Sequence, residues 1–396
     1  MTVEPLKVAI VAGEESGDLL GADLIAALKV MTGRQIQLVG LGGRHLEALG
    51  LKPAFDASEI ALMGFSAVLA GLPRLIRRIG QTAALIAAEN PDCLITIDSP
   101  DFSLRVAKKV RAANPNIPII HYVCPSVWAW RPGRAPAMKP HVDHILCILP
   151  FEAKALERLD GPPGTYVGHR LSHDADVLRA ATEQAAPRDL SENREKTLLL
   201  LPGSRRGEVR KLLEPFGETV TVLAERGHKM RLLLPTVPHV AEFVRATVSS
   251  WPQQPEIILD AVRKWQAFGE ADAALIASGT VSLELALSGV PMVSTYKLDP
   301  VAKLLQKLIT TWSALLPNLI ADRVLVTEFY DIYVRPQNLA RQVEALWSDG
   351  GLRAWQKDGF AEVRRRMATE RPAGEIAASV VLGEIGKRRQ AENRSA

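Results

Sequence analysis

A chain of 396 residues, 47% hydrophobic, with mean hydropathy near zero, has the composition of a globular protein of two or three domains. No apolar run reaches the ~18 residues that span a bilayer, and Met1-Thr-Val-Glu-Pro-Leu-Lys7 has no signal-peptide plan, so a cytoplasmic location is expected. A net charge of +4 is too weak for a nucleic-acid surface. Cys93, Cys124 and Cys147 are dispersed without metal-ligand spacing and read as reduced, buried thiols, with neither a zinc site nor a disulfide frame indicated.

Leu6 to Ala12 is an apolar strand, Gly13-Glu-Glu-Ser-Gly17-Asp18 a polar glycine turn, and Leu19 to Val30 an amphipathic helix. This is not a dinucleotide fingerprint, because Glu14, Glu15 and Asp18 repel phosphate at a helix N-terminus. Acids there suit a hydroxyl-rich ligand or proton transfer, and equally a simple favouring of the helix dipole. Gly40-Leu-Gly-Gly43 lacks a third glycine and reads as a turn. Residues 60–79 carry Leu62, Met63, Phe65, Val68, Leu69, Leu72, Leu75, Ile76 and Ile79 at helical spacing. Arg74, Arg77 and Arg78 close the stretch, and Pro73 is expected to divide it into two short helices. Such a stretch rests in a membrane interface or packs in a core.

The buried strand expected over Pro91 to Ile97 runs into Asp98-Ser-Pro-Asp101. Ligands of open α/β sheets gather beyond strand carboxyl ends, which makes Asp98 the first candidate base. Asp101 suits a turn or cap. Ile117 to Val123 leads into a Pro-flanked loop with Trp128, Trp130 and Arg131, able to stack on a sugar and hold a phosphate, or to fill a core. A strand over Val142 to Leu149 follows, and Val167-Gly-His169 closes a first domain, 1–175. Residues 176–196, charged and alanine-rich, read as a helical linker.

Thr197-Leu-Leu-Leu-Leu201 has the unbroken apolarity of a strand buried on both faces. It opens a second domain, 197–384, with a glycine turn at Gly203-Ser-Arg205 and a helix through Val209, Leu212, Leu213 and Phe216. Ala273 to Ala277 is a further strand, followed by Ser278-Gly-Thr280 and an apolar helix. Amides, two hydroxyls and a positive dipole end there describe an anion site, with Glu284 one turn on able to accept both ribose hydroxyls; capping alone also accounts for Ser-Gly-Thr. Pro300 to Leu316 is a second apolar and basic stretch, and residues 385–396 form a charged tail expected to fray. The whole describes an α/β protein of two facing Rossmann-like domains with a cleft between them.

Six motifs, in order, resemble those of lipid-A-disaccharide synthase, an inverting glycosyltransferase of GT-B type: Ala12-Gly-Glu-Glu-Ser-Gly-Asp18, Ile97-Asp-Ser-Pro-Asp-Phe102, Tyr122-Val-Cys-Pro-Ser-Val-Trp-Ala-Trp-Arg131, Leu201-Pro-Gly-Ser-Arg-Arg-Gly-Glu-Val209, Ala277-Ser-Gly-Thr-Val-Ser-Leu-Glu284 and Leu316-Pro-Asn-Leu-Ile-Ala-Asp-Arg323. The resemblance implies condensation of UDP-2,3-diacylglucosamine with 2,3-diacylglucosamine 1-phosphate through a β-1′,6 bond, at the cytoplasmic face of the inner membrane, with no cofactor or metal; a homodimer is left open. It implies Asp98 as base with Glu15 orienting or competing, and Arg205 at the departing UDP. Gly203, Ser204, Ser278, Gly279, Thr280, Glu284, Asn318 and Glu328 would complete the donor site. Ser16, Asp18, Ser126, Trp128 and Arg131 would meet the acceptor, and Met63, Phe65, Val68, Leu69 and Leu72 the membrane or acyl chains. Three positions depart from the family pattern: Asp331 where glutamine is usual, Cys124 for serine, and Arg170 where proline is common.

Overall fold

A computed structural model of the chain describes residues 4–57, 59, 68–191, 193–298, 308–348 and 350–395. They form two compact units, residues 1–170 with 369–396, and residues 171–368. Each is built on a six-stranded parallel sheet.

The first sheet contains β1 (Leu6–Ala12), β2 (Ile36–Leu41), β3 (Cys93–Ile97), β4 (Ile119–Tyr122), β5 (His144–Cys147) and β6 (Gly164–Tyr166), in the order β2-β1-β3-β4-β5-β6. Its helices are α1 (Glu15–Thr32), α2 (Arg44–Glu47), α3 (Val68–Glu89), α4 (Pro100–Ala113), α5 (Arg134–Met138) and α6 (Glu152–Arg158). Successive side chains of a strand point to opposite faces. Thus Val8 and Ile10 pack with Leu24 and Leu28 of α1, while Ala9 and Val11 pack with Ile79 and Ile86 of α3 and Val106 of α4. The unbroken apolar run from Val8 to Ala12 is the signature of a strand covered on both sides. Gly40 is required where β2 passes β1: its φ is +131°, and a Cβ there would stand 2.1 Å from the Ile10 carbonyl oxygen.

The second unit contains α7 (Ala175–Ala185), β7 (Lys196–Leu201), α8 (Arg206–Glu225), β8 (Met230–Pro235), α9 (Pro238–Val248), β9 (Glu256–Ile258), α10 (Ala261–Glu270), β10 (Ala273–Ala277), α11 (Val281–Ser288), β11 (Met292–Tyr296), α12 (Leu316–Ala321), β12 (Glu328–Tyr330), α13 (Pro336–Trp347) and α14 (Gly351–Met367). Read from β9, the order is β9-β8-β7-β10-β11-β12, the doubly wound arrangement whose strand order reverses between its first and fourth strands. Leu198 to Leu200 are wholly buried, each contributing about 1.5–3 kcal/mol of hydrophobic stabilisation.

Three expectations are corrected. The segment expected as a linker belongs to the second unit: the Gln184 amide donates to the carbonyls of Phe268, Gly269 and Ala271, and buried Asp272 accepts from Arg188, Arg194 and the Thr197 amide. The end of the chain, placed in the second domain up to residue 384 and then as a tail, is one helix, α15 (Ala373–Ser395), packed on the first unit beside α1. Arg389 reaches Asp92 at 3.0 Å and Glu384 lies 3.3 Å from His144. Pro73 lies inside α3 and does not divide it. Met63 and Phe65 lie outside the described residues.

Ala377, Ala378 and Val381 of α15 are wholly buried. Val381→Asp, which puts an unpaired charge among α1 and the first sheet, should destabilise the first unit by more than about 3 kcal/mol. Urea unfolding followed by circular dichroism measures this.

Candidate functional site

In the second unit the carboxyl ends of β7, β8, β9 and β10 surround a pocket of about 550 Å³. It lies where the strand order reverses, the place ligands occupy in open α/β sheets. Gly203, Ser204, Arg205, Ser278, Gly279, Thr280 and Glu284 all line it, so two motifs more than seventy residues apart meet there. Gly203 has φ +108°, and a Cβ would stand 2.7 Å from Glu208 Oε2; glycine lets the chain leave β7 and start α8 without a clash. Arg205 is the N-cap of α8, with its amide and guanidinium both toward the Glu208 carboxylate, while its side chain is 85% exposed. On the other wall α11 starts after Ser278-Gly-Thr280, where the Ser282, Leu283 and Glu284 amides close the first turn on the Gly279 and Thr280 carbonyls and the positive dipole end faces the pocket.

Glu284 Oε2 is 2.6 Å from Lys264 Nζ, a pocket residue of α10 that is also stacked near Trp265 and Phe268. The pocket therefore combines the positive end of a helix and two cations with a held carboxylate, a set suited to a diphosphate joined to a diol.

Asn318 and Glu328 do not line this pocket. Asn318 is wholly buried; its Nδ2 donates to the Val326 carbonyl and Ser313 Oγ, and its Oδ1 accepts from the Leu325 and Val326 amides. Glu328 accepts from Ser313 Oγ, the Ala314 amide and the Tyr330 hydroxyl. Together they fix the turn between α12 and β12. Asp331 accepts from the Leu298 amide at 2.9 Å, a use to which glutamine's carbonyl is equally suited.

In the first unit Asp98 follows β3 with φ +47°, and Ser99 continues at φ +43°. Two consecutive non-glycine residues in the left-handed region store strain of the kind found at functional sites. The Asp98 amide donates to the Tyr122 carbonyl, and its own carbonyl accepts from Ser103 Oγ. Burial, and then the negative charge of Glu14, push the Asp98 carboxyl above the usual carboxylate range. Glu14 also accepts from Ser99 Oγ at 3.3 Å.

Glu15, one residue on, is instead paired with Arg44 at 2.5 Å on the surface. Asp18 is buried at 1% exposure and accepts from the amides of Gly43, His45 and Leu46 at the start of α2. Ser16 and Ser126 are exposed. Trp128 donates its indole N–H to Glu152 at 3.3 Å and meets Phe151 edge-on. Arg131 lies over the Trp130 ring, 4.1 Å from its centroid. Asp101, expected to cap a turn, is the partner of Arg134 at 2.6 Å. Glu152 is buried, which pushes its carboxyl up to about 7.

A family model described as lipid-A-disaccharide synthetase matches residues 8–378. The lipid-A-disaccharide synthase of Nitrobacter hamburgensis is 44% identical over 378 residues, covering 95% of each chain. This chain belongs to that family. It is a glycosyltransferase of lipid A biosynthesis. Its fold is also that of a putative UDP-N-acetylglucosamine 2-epimerase from Listeria monocytogenes (17% identity, 98% of each chain, TM-score 0.58). A kitacinnamycin glycotransferase shares it as well (17% identity, 96% of this chain and 100% of the other, TM-score 0.59). The α/β, GT-B type expectation holds.

Within this lipid-A-disaccharide synthetase family chain, Glu14 and Lys264 are the site residues that sequence reasoning did not single out for a role. Glu14 stood in a turn with two other acids. Lys264 lies in a segment with no motif, and only the return of α10 to the pocket gives it a place. Asp18, in contrast, binds amides of its own chain. Asp18→Ala leaves three N–H groups without their acceptor and should cost about 3 kcal/mol, whereas exposed Ser16→Ala should stay within about 0.5 kcal/mol; paired urea titrations of the two variants provide the comparison.

Proposed function

We propose that the chain joins UDP-2,3-diacylglucosamine to the 6-hydroxyl of 2,3-diacylglucosamine 1-phosphate, inverting the donor anomeric carbon in one displacement. The observation that carries the donor half is the pocket of the second unit, where Arg205, Lys264 and the start of α11 surround one space with Glu284. UDP lies there with its ribose hydroxyls on Glu284, whose orientation Lys264 holds. The acceptor hydroxyl oxygen attacks the anomeric carbon as Asp98 takes its proton. The bond from that carbon to the diphosphate oxygen breaks, and the electron pair leaves with UDP. Arg205 and the α11 amides stabilise this developing charge, as preorganised donors do at an oxyanion. An arginine and a helix N-terminus supply what a divalent ion supplies elsewhere, so the step is proposed to be metal-independent.

Asp98 fits the base because its left-handed backbone fixes the carboxyl, and because a raised pKa strengthens a carboxylate as a proton acceptor. Glu14 is proposed as the acid that modulates Asp98, in place of Glu15, which was expected to orient Asp98 or compete with it. Asn318 and Glu328 act through the turn they brace. Trp128 and Arg131 are proposed at the acceptor, with Ser16 and Ser126 as exposed hydroxyls beside it. Among the described residues no helix is long and apolar enough to cross a membrane. Docking at the cytoplasmic face of the inner membrane is proposed through residues 62–79, supported by the exposed Ile76 and the basic Arg74 and Arg77 of α3.

UDP release by the purified protein, in detergent with EDTA, should need both acylated sugars. Release from the UDP-sugar alone would point to a hydrolase or epimerase and overturn the transfer reading. Asp98→Asn should lower turnover at least 100-fold with UDP affinity unchanged.

The pH dependence has a definite sign. Asp98 works only when ionised, so kcat/KM falls as pH drops through its raised pKa. Glu14→Gln removes one of the two causes that raise it, and burial remains. The acidic limb should therefore move to lower pH without disappearing, and an unmoved limb would exclude Glu14 as the modulator.

A further inference from the structure

Three groups with no place in the transfer lie together in the first unit. Cys124 follows β4, Cys147 ends β5, and Glu152 begins α6; a ligand atom of each lies within 4.8 Å of the other two. All three are buried, at 4%, 0% and 2% exposure. The sequence hides this cluster because its members come from three different elements, with no spacing that marks a metal site.

We propose that Cys124, Cys147 and Glu152 form a binding site for a thiophilic divalent cation of the zinc class. Zinc bonds thiolate at ~2.3 Å and carboxylate at ~2.1 Å, so tetrahedral ligands stand roughly 3.5–3.8 Å apart; side chains already within 4.8 Å close on an ion by small rotations. Two sulfurs and one carboxylate oxygen suit zinc and disfavour magnesium or calcium, which take oxygen ligands. The carboxylate is already oriented: Glu152 Oε2 accepts from the Ile148 and Leu149 amides at 3.0 Å each, and Oε1 from the Trp128 indole. Partners of this kind hold and tune a metal-bound carboxylate. Binding expels one proton from each thiol, so the dication enters with no net change in buried charge. The fourth tetrahedral position is left for water or a small anion.

The plainer account makes Glu152 a brace for the turn before α6, through the Ile148 and Leu149 amides, and the cysteines small apolar fillers. It explains Oε2 but not why two sulfurs adjoin the same carboxyl. The turn after β4 is also strained on the residue before the first sulfur: Val123 is β-branched and has φ +74°, an outlier for such a side chain. An ion here would tie that turn, which carries Ser126, Trp128 and Arg131, to β5 and α6. It would brace the proposed acceptor loop and take no part in the chemical step.

The test is metal binding by the full chain under a non-thiol reductant, using cobalt(II) as spectroscopic probe and zinc(II) as competitor. Wild type should take up one cobalt per chain with a sulfur-to-metal charge-transfer band, and zinc should abolish that band. Cys124→Ser, which installs the residue usual in the family and so should fold, and Cys147→Ser should each weaken uptake at least about 100-fold. Glu152→Gln should keep part of the band with weaker affinity, and Cys93→Ala should bind as wild type. Cobalt bound without a charge-transfer band, or equal uptake by wild type and Cys124→Ser, would overturn the proposal. So would loss of two titratable thiols in protein prepared and denatured without reductant, which would mean that the pair forms a disulfide instead. None of these readings involves UDP release, so failure here is distinct from failure of the transferase assignment.

Discussion

A parallel sheet covered by helices on both faces confines chemistry to the carboxyl ends of its strands, because every side chain along a strand is committed to one of two cores. Both sheets here obey that constraint. Val8 to Val11 and Leu198 to Leu200 have no exposed side chain to offer, and the polar groups begin where β1, β3, β7 and β10 end. What distinguishes the two units is the polarity placed at those ends. In the second unit amides and cations line a pocket suited to a leaving diphosphate; in the first, Asp98 and Glu14 make an acidic and strained turn suited to proton transfer.

The backbone at these turns follows from the same constraint. A strand that ends inside a covered sheet must reverse within two or three residues to start its return helix, and few residue types tolerate the dihedrals. Gly203 at φ +108° and Gly279 at φ +155° meet the demand without a Cβ. Asp98 and Ser99 meet it with side chains, at a cost in strain. The hydrogen bonds from Ser103 and to Tyr122 hold that geometry in place, so the carboxyl is fixed by the fold and not by a ligand.

Much of this was legible in the sequence where signals are local. Unbroken apolar runs bounded by glycine gave the strands, and the glycine turns gave both walls of the pocket. What could not be read depends on partners distant in sequence. α15 has apolar residues that would cover either unit, and only packing against α1 decides between them. Asp18 and Asn318 have the composition of ligand-binding residues, yet amides 25 and 7 residues away already saturate them. Lys264 and the Cys124, Cys147 and Glu152 cluster have no pattern at all until sheet order brings strands β4 and β5, or helices α10 and α11, side by side.

Four acids near the start of the chain show how such context assigns roles. Glu14, Glu15, Asp18 and Asp98 are chemically close, and the sequence offered no means to rank Glu15 against Asp98. The fold separates them by what satisfies each carboxylate. Three amides occupy Asp18, and Arg44 occupies Glu15 in water, where an ion pair contributes little. Asp98 is drawn out of water, a backbone hydrogen bond from Ser99 offsets this only in part, and the charge of Glu14 opposes its ionisation further. A carboxylate left in that state regains free energy by taking a proton, which is the property a general base requires. Burial and the charge of Glu14 outweigh the one backbone hydrogen bond that favours the Asp98 anion, and this sets Asp98 apart from the other acids.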